Sequence, residues 1–264
     1  MEEEMEHPIT VYITADTIIS SLGVDTRENL QAIREYRSGI ALHEAGLISD
    51  EPILAATIDP ALTEATKGSD SYTRLERLFI LAIQKILSRS GISLADEDCG
   101  LILSTTKGNI DLLSKQTDQP DSKIHLWEMG RRIGEYFHAD SRVEIISNAC
   151  ISGVSALIVA KRWIESGRYR KVIVAGGDIL SHFITSGFLS FKSVSAERCR
   201  PYDARRDGLN LGEACGAVLL SSEGSDTDII LSGGAISNDA NHISGPSRTG
   251  DGLYFAIRRA MEEA

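Results

Sequence analysis

Residues 148–153 of the chain read Asn-Ala-Cys-Ile-Ser-Gly, and this is the most informative stretch of the sequence. It follows an apolar, strand-like run, Val143-Glu-Ile-Ile-Ser147, and it precedes a run whose apolar residues recur at helical spacing as far as Ile164. A strand-to-helix turn of this kind places Cys150 beside outward-pointing backbone N–H groups and the positive end of a helix dipole, which favours a thiolate. A thiolate is the nucleophile of acyl-thioester chemistry. The alternative is that Cys150 is a small buried apolar residue, as many free cysteines are.

The composition is that of an ordinary globular protein and excludes several classes of function. The chain has 264 residues, 42% hydrophobic and 25% charged, which suffices for one large domain or two small ones. Its net charge of -11 argues against nucleic acid as the main partner. The acidic start is unlike a signal peptide, and no apolar run is long enough to span a membrane. Four scattered cysteines without a CxxC pair predict reduced thiols, no metal site and a cytoplasmic location.

Strand-like and helix-like segments alternate along the chain. The predicted strands cover residues 9–14, 100–104, 143–147, 171–177 and 216–221. The predicted helices cover residues 75–88, ended by Gly91, and 127–137, and a third runs from the Cys150 turn to residues 166–167. This alternation predicts an α/β sheet covered by helices on both faces.

The clearest internal break is the polar stretch of residues 221–228. A new strand beginning at Ile229 and a new helix, Leu253 to Glu263, follow it. We therefore divide the chain into a domain of residues 1–224, which carries the candidate nucleophile, and the start of a second domain at residues 225–264.

Further motifs follow a fixed order around the cysteine. They are Ser104-Thr-Thr-Lys-Gly108, Ala175-Gly-Gly-Asp178, Gly187-Phe188, Cys199-Arg-Pro-Tyr-Asp203, Arg206-Asp-Gly208, Gly212-Glu213 and Asp239-Ala-Asn-His242. In this order and spacing the chain resembles the β-ketoacyl-acyl carrier protein synthases, the condensing enzymes of the thiolase-like superfamily. The resemblance implies a thiolase-like, layered α/β/α half with a mixed five-stranded sheet, plus the first strand and helix of a second half.

The same resemblance assigns roles to four residues. Cys150 is the catalytic nucleophile that takes the acyl chain, and its own backbone N–H forms half of an oxyanion hole. For substrate binding, Phe188 lies by the acyl pocket, Ile110 limits chain length at the far end of the acyl tunnel, and Ser244 hydrogen-bonds the pantetheine arm. Simple core packing is the alternative for both Phe188 and Ile110.

Charged motifs near these residues are interpreted as structural or as a docking site. The segments 200–203 and 206–208 form an Asp/Arg network that holds a loop near the cysteine, and Glu213 supports that loop, because buried paired charges usually organise structure. Lys67, Arg74 and Arg77 lie where the family presents basic residues to its acidic carrier protein.

The resemblance ends shortly after the start of the second half of the family's enzymes. The two histidines of the family, in a His-Gly-Thr-Gly-Thr motif and a Gly-His motif, have no counterpart in the sequence, and the Gly-Phe-Gly-Gly loop is also absent. Ile151 also stands where the family has a small residue. We expect an N-terminal portion of a synthase that does not condense by itself.

The resemblance implies acyl transfer to Cys150, followed in the complete enzyme by decarboxylative Claisen condensation with malonyl-carrier protein in fatty-acid or polyketide/polyene synthesis. The phosphopantetheine arm arrives on the carrier protein, so no metal or organic cofactor is expected. The expected partners are the acyl carrier protein and a second copy, with residues 171–175 close to the two-fold axis, and neither nucleic acid nor membrane. Two alternatives stay open: another thiolase-like acyltransferase, and a non-catalytic chain-length or scaffold partner, against which Cys150 argues.

Overall fold

The computed structural model describes residues 9–46, 48–64, 71–113, 121–139, 142–239 and 247–264. In these ranges the strands are β1 (Tyr12–Ser20), β2 (Ala41–His43), β3 (Ile53–Ala56), β4 (Cys99–Ser104), β5 (Glu144–Ile146), β6 (Lys171–Asp178), β7 (Leu211–Gly212), β8 (Ala214–Ser221) and β9 (Ile229–Ile230). The α-helices are α1 (Thr26–Arg34), α2 (Pro60–Glu64), α3 (Arg74–Ser90), α4 (Leu126–Phe137), α5 (Ser152–Glu165), α6 (His182–Ser190) and α7 (Asp251–Glu263). No helix in these ranges combines the length and the apolarity needed to cross a bilayer.

The main sheet has six strands in the order β5-β4-β6-β8-β1-β9. β4 runs parallel to β5 and β6, whereas β8 runs antiparallel to β6 and β1. The predicted mixed sheet is therefore confirmed: five strands come from the part of the chain before residue 224, and the sixth, β9, pairs antiparallel with β1. Strands β2, β3 and β7 form a separate small sheet.

Helices cover both faces of the main sheet, because its central strands are apolar on both sides. Alternate residues of β4 point to opposite faces. Leu101 and Leu103 pack with α3 and α4 in one core, while Ile102 packs with α5 in the other. The predicted α/β/α layering is confirmed.

The central helix α3 begins and ends where the sequence signals it. The Thr73 hydroxyl accepts from the backbone N–H of Glu76, whose carboxylate accepts from the N–H of Thr73, and this capping box satisfies donors that the first turn leaves free. At the other end Gly91 adopts a left-handed conformation, with φ of 68°, and closes the helix.

Two elements differ from the sequence expectation. β1 spans Tyr12–Ser20 rather than residues 9–14, because its backbone pairs with β8 over its whole length although Asp16 and Thr17 interrupt the apolar pattern. Helix α6 was not predicted, since Gly187 lies in its middle and its apolar residues lack a clear helical period.

Strand β6 lies inside the sheet, flanked by β4 and β8. Both of its edges are occupied, so residues 171–175 are not available to extend the sheet into a partner molecule. The expectation that they lie close to a two-fold axis stays a prediction, and the free edges of the main sheet in the described structure are β5 and β9. Of these, β5 directly precedes the cysteine turn.

Helix α7 is anchored to α5 by a buried lysine. The Nζ of Lys161 lies 2.6 Å from Glu165 Oε1 and 2.8 Å from Glu263 Oε1, and Glu263 Oε2 accepts from the N–H of Gly234. The apolar residues of α7 nevertheless remain exposed, among them Leu253, Tyr254, Phe255, Ile257 and Met261. One face of α7 is therefore apolar and exposed in the described structure.

Candidate active site

Cys150 lies on a strained turn between β5 and α5. The preceding residue, Ala149, has φ of 47°, a left-handed conformation that is unfavourable for any residue with a side chain. The hydroxyl of Ser152, the first residue of α5, accepts from the N–H of Asn148 at 2.8 Å and donates to the carbonyl of Ala149 at 2.6 Å. These two bonds hold the strained turn closed, and the Cys150 side chain is exposed.

The backbone around Cys150 leaves a donor free for a substrate. Ile151 N–H donates to Asn148 and Ser152 N–H donates to Ala149. The N–H of Cys150 itself has no acceptor among the residues that the structure describes. A thioester carbonyl placed over this turn would therefore find the thiol and one backbone donor on the same residue, and one such donor is half of what an oxyanion hole needs.

The remaining cysteines are in different surroundings. Cys99 and Cys215 are buried in the core between α3 and the sheet. Burial raises the pKa of the Cys99 thiol to about 12 and also raises the pKa of the Cys215 thiol. Cys199 is partly exposed, and its N–H donates to the Asn210 side chain. Cys150 is thus the free thiol with the greatest access to solvent.

Asp178, at the end of β6, organises the loop beside the cysteine turn. Its carboxylate accepts from the hydroxyl of Thr105 at 2.7 Å, from the N–H of Thr106 at 3.0 Å and from the hydroxyl of Thr106 at 2.9 Å. Thr105 N–H in turn donates to the carbonyl of Ile146, the last residue of β5, and Ser147 donates to the carbonyl of Thr106. Asp178 therefore fixes the loop after β4 against the segment leading to Cys150. Sequence reasoning noted the motif and missed this role.

A second network gives Glu213 a structural role at a different place from the one expected, since none of its bonds in the described structure reaches the loop of residues 200–208. This carboxylate is buried and forms a two-point ion pair with Arg74, with both N···O distances at 2.6 Å. It also accepts from the N–H of Ile58 at 2.8 Å and of Leu180 at 3.0 Å. Four donors converge on one side chain, so Glu213 joins the start of α3 to the segments before α2 and α6.

This pairing changes the interpretation of the basic residues. Arg74 also donates to the carbonyl of Ile58, so its guanidinium faces inward rather than toward a carrier protein. Arg77 Nε donates to the carbonyl of Tyr72. Lys67 lies outside the described residues. Arg74 is therefore not available for the expected docking of a carrier protein.

Ile110 borders a cavity of about 720 Å³. The turn that holds it is fixed by the buried Asn109, whose side chain accepts from Thr73 and donates to Glu76 and to the carbonyl of Lys123. The cavity wall is partly apolar and partly charged: it includes Ile48, Ile58, Ile179, Leu180, Phe183, His43, Glu44, Asp111, His182 and Glu213. Cys150 is not among the residues that line it.

Of the other two predicted substrate-binding residues, Phe188 and Ser244, the structure describes only Phe188, which does not line this cavity. Phe188 packs partly buried against Ala55, Leu180 and Leu211, a small apolar cluster, which agrees with core packing. Ser244 lies outside the described residues, as does His242. In the loop before β7, Ser195 donates to Asp207 and Arg206 donates to the carbonyl of Asp203, so the loop is held by its own polar groups as expected.

No group of three or more His, Cys, Asp or Glu side chains within the described ranges is placed to hold a metal ion. The chemistry that the described site offers is nucleophilic: an exposed thiol on a strained turn, with a free backbone donor at the same residue.

The fold of the chain matches those of solved ketosynthases. The fold matches the ketosynthase ApeO in complex with its chain length factor ApeC from Xenorhabdus doucetiae, with a TM-score of 0.83 and 25% identity over 100% of this chain and 70% of that chain. A β-ketoacyl synthase from Burkholderia phymatum matches in fold with a TM-score of 0.81 and 20% identity, over 97% of this chain and 70% of that chain. The fold is that of the thiolase-like ketosynthases.

The family follows from the sequence. The model of the β-ketoacyl synthase N-terminal domain matches residues 10–225, so the chain belongs to the β-ketoacyl synthase family. The 3-oxoacyl-[acyl-carrier-protein] synthase 2 of Rhizobium meliloti is 33% identical over 134 residues, 45% of this chain and 32% of that protein. The synthase 2 of Vibrio harveyi is 24% identical over 299 aligned positions, 96% of this chain and 69% of that protein. The chain thus matches only 32% of the length of the first of these relatives.

Proposed function

We propose that this chain performs the acyl-loading step of a β-ketoacyl-acyl carrier protein synthase. The Cys150 sulfur attacks the carbonyl carbon of an acyl thioester on the carrier protein, and the new C–S bond forms as the old one breaks. The proton of the Cys150 thiol ends on the departing pantetheine thiol, so the step needs no redox partner and the protein no cofactor of its own. The observation that carries this proposal is the exposed Cys150 on its strained turn, with a free N–H, in a chain of this family.

Ile110, Phe188 and Ser244 are proposed to contact the acyl chain and its pantetheine arm. The cavity beside Ile110 supports its part in this assignment, because an acyl chain needs a partly apolar space. Phe188 could line the chain only on its exposed side, since its other contacts are with core residues. Substituting each residue and comparing acyl-chain preference would test these roles.

Condensation with malonyl-carrier protein is proposed for the complete enzyme and not for this chain alone. The two histidine motifs expected for that step do not occur in its 264 residues. The exposed apolar residues of α7 also support the proposal that another polypeptide segment packs against this face in the complete enzyme. In the complete enzyme the product belongs to fatty-acid or polyketide/polyene synthesis.

The proposed partners are an acyl carrier protein and a second copy of the chain, in a cytoplasmic setting. One solved neighbour is a type II polyketide synthase acyl-carrier protein in complex with its ketosynthase. The free edge of β5 supports a dimer in which two β5 strands pair across a two-fold axis. Equilibrium sedimentation would contradict the dimer if it found only monomer.

The test is intact-mass analysis after incubation with a medium-chain acyl carrier protein. We expect one acyl adduct on the wild-type protein and none on Cys150→Ala. Cys199→Ala is the matched control, because it removes the other partly accessible thiol and should still be acylated. An adduct that survives Cys150→Ala, or no adduct with any acyl donor, would contradict the proposal.

The same assay separates the alternatives. Loading from acyl-coenzyme A but not from the carrier protein would indicate a different thiolase-like acyltransferase. If a complex containing the Cys150→Ala protein kept full activity, this chain would act as a chain-length or scaffold partner. One solved neighbour is a ketosynthase in complex with such a chain length factor.

A further inference from the structure

The parallel strands β5, β4 and β6 end side by side at one end of the main sheet. The Cys150 turn follows β5, the loop of residues 105–108 follows β4, and Asp178 is the last residue of β6. Strand β5 is only three residues long, and β4 is its one neighbour in the described structure. A short edge strand with few contacts is weakly held, so the place of the Cys150 turn depends on what fixes the end of β5.

The end of β6 is a rigid support. Strand β6 pairs with β8 along its whole length, as far as Asp178 opposite Ala214. A Cβ added to Gly177 would lie 3.0 Å from the carbonyl oxygen of Ala214, so the two strands approach closely at this point. Two residues beyond Asp178, the N–H of Leu180 donates to the buried Glu213 at 3.0 Å. Asp178 is thus held by its neighbours on both sides.

One oxygen atom of Asp178 ties the loop after β4 to this support. Its Oδ1 accepts from the hydroxyl of Thr105 at 2.7 Å, from the hydroxyl of Thr106 at 2.9 Å and from the N–H of Thr106 at 3.0 Å. Thr105 is buried, and its hydroxyl also accepts from the N–H of Gly108 at 3.1 Å. Hydrogen bonds to a carboxylate are about twice as strong as those between neutral groups. The loop therefore has a well-defined place relative to β6.

Two hydrogen bonds connect this loop to the end of β5. The N–H of Thr105 donates to the carbonyl of Ile146 at 3.3 Å, and the hydroxyl of Ser147 donates to the carbonyl of Thr106 at 3.0 Å. Ser147 directly precedes the stretch that carries Cys150. Loss of the support from β6 would free the loop, and with it the end of β5 and the start of the Cys150 turn.

We propose that Asp178 is a positioning residue for Cys150. No hydrogen bond joins the two residues in the described structure, so Asp178 acts through the loop after β4 and the end of β5. This inference rests on the proposed acyl loading at Cys150. A reacting group displaced by about 1 Å can lose about a hundredfold in rate. Because the pairing of β5 with β4 remains when Asp178 is removed, we expect a loss of about tenfold.

The test is a time course of Cys150 acylation, followed by intact mass. The donors are an acyl carrier protein and the N-acetylcysteamine thioester of the same acyl group. At saturating donor, Asp178→Ala should be acylated about tenfold more slowly than the wild type. The donor concentration that gives half the maximal rate should change by less than about twofold, because Asp178 is not expected to contact the donor.

Conservative variants separate position from charge and from stability. Asp178→Asn should keep at least about half of the wild-type rate, because an amide oxygen at the Oδ1 position accepts the same hydrogen bonds. Thr105→Ser should likewise keep the rate, whereas Thr105→Val should slow it. Adding Thr105→Val to Asp178→Ala should cost little more than Asp178→Ala alone, because both side chains belong to one network.

Asp228→Ala is the matched control. This carboxylate is also half-buried, and it accepts from the N–H and the hydroxyl of Ser225, both at 2.8 Å, in the polar stretch of residues 221–228. Its loss should leave the acylation rate unchanged when every variant is assayed well below its Tm. A wild-type rate in Asp178→Ala, or an equal loss in Asp178→Asn, would overturn this inference alone. No acylation of the wild-type protein by either donor would overturn the proposed function and this inference with it.

Discussion

Replacing Glu213 by alanine should destabilise the protein strongly. The substitution removes one partner of a buried ion pair and leaves Arg74 with only the carbonyl of Ile58. It also leaves the N–H groups of Ile58 and Leu180 without their acceptor. Breaking a buried pair costs about 3–5 kcal/mol. Each buried donor left without an acceptor costs about 1–3 kcal/mol, and these costs overlap in one network.

Arg74 is partly exposed, with 28% of its side chain accessible, so water can compensate part of the loss. We therefore expect Glu213→Ala to lower the free energy of unfolding by about 4 kcal/mol. For a chain of this size that corresponds to a fall in Tm of about 8–16 °C. Glu213→Gln keeps the shape and one acceptor oxygen, and it should cost about half as much.

Urea unfolding followed by both fluorescence and circular dichroism would measure these differences and check that the two transitions coincide. Glu223→Ala is the matched control: it breaks the Arg170–Glu223 pair, whose side chains are 60% and 66% exposed. Its cost should stay below about 1 kcal/mol. The reasoning is refuted if Glu213→Ala costs no more than this control.

Two further predictions follow from the titratable groups. Partial desolvation beside the cavity raises the pKa of the Asp111 carboxyl, although the residue as a whole is exposed. The unfolded state therefore releases this proton first, and the carboxyl opposes folding as pH rises above about 3.8. Asp111→Asn should give a small gain in stability at neutral pH and none at low pH, and urea midpoints without a pH-dependent gain would contradict this prediction. Under native conditions iodoacetamide should modify Cys150 first, whereas Cys99 and Cys215 should react only after unfolding, as peptide mass mapping can check.

The parts of the fold that the sequence predicts are those set by local patterns. Helix α3 is flanked by its own capping signals, and β4 and β6 are nearly continuous apolar runs, as buried parallel strands should be. The turn at Cys150 is also local, because a strand pattern changes to a helix pattern within a few residues. Strand β1 was placed poorly because its length is set by its pairing with β8, far along the chain.

The supporting contacts of the site could not be predicted for the same reason. Glu213 and Arg74 are 139 positions apart, and Asp178 and Thr105 are 73 positions apart. Residue types alone do not say which arginine meets which glutamate, so Arg74 appeared free for a carrier protein. Arg74 is not free because α3 packs beside the start of β8, which brings its guanidinium to Glu213.

Ala149 shows that the turn before Cys150 is more than a consequence of the fold. Glycine would adopt a φ of 47° without strain, whereas alanine in the left-handed region costs on the order of 1 kcal/mol. The two hydrogen bonds of Ser152 act directly on this segment and offset that cost. A residue with a side chain thus adopts a left-handed backbone conformation directly before the exposed thiol, and hydrogen bonds from Ser152 compensate for the strain. This pattern is expected where a backbone is held in place for chemistry rather than for stability.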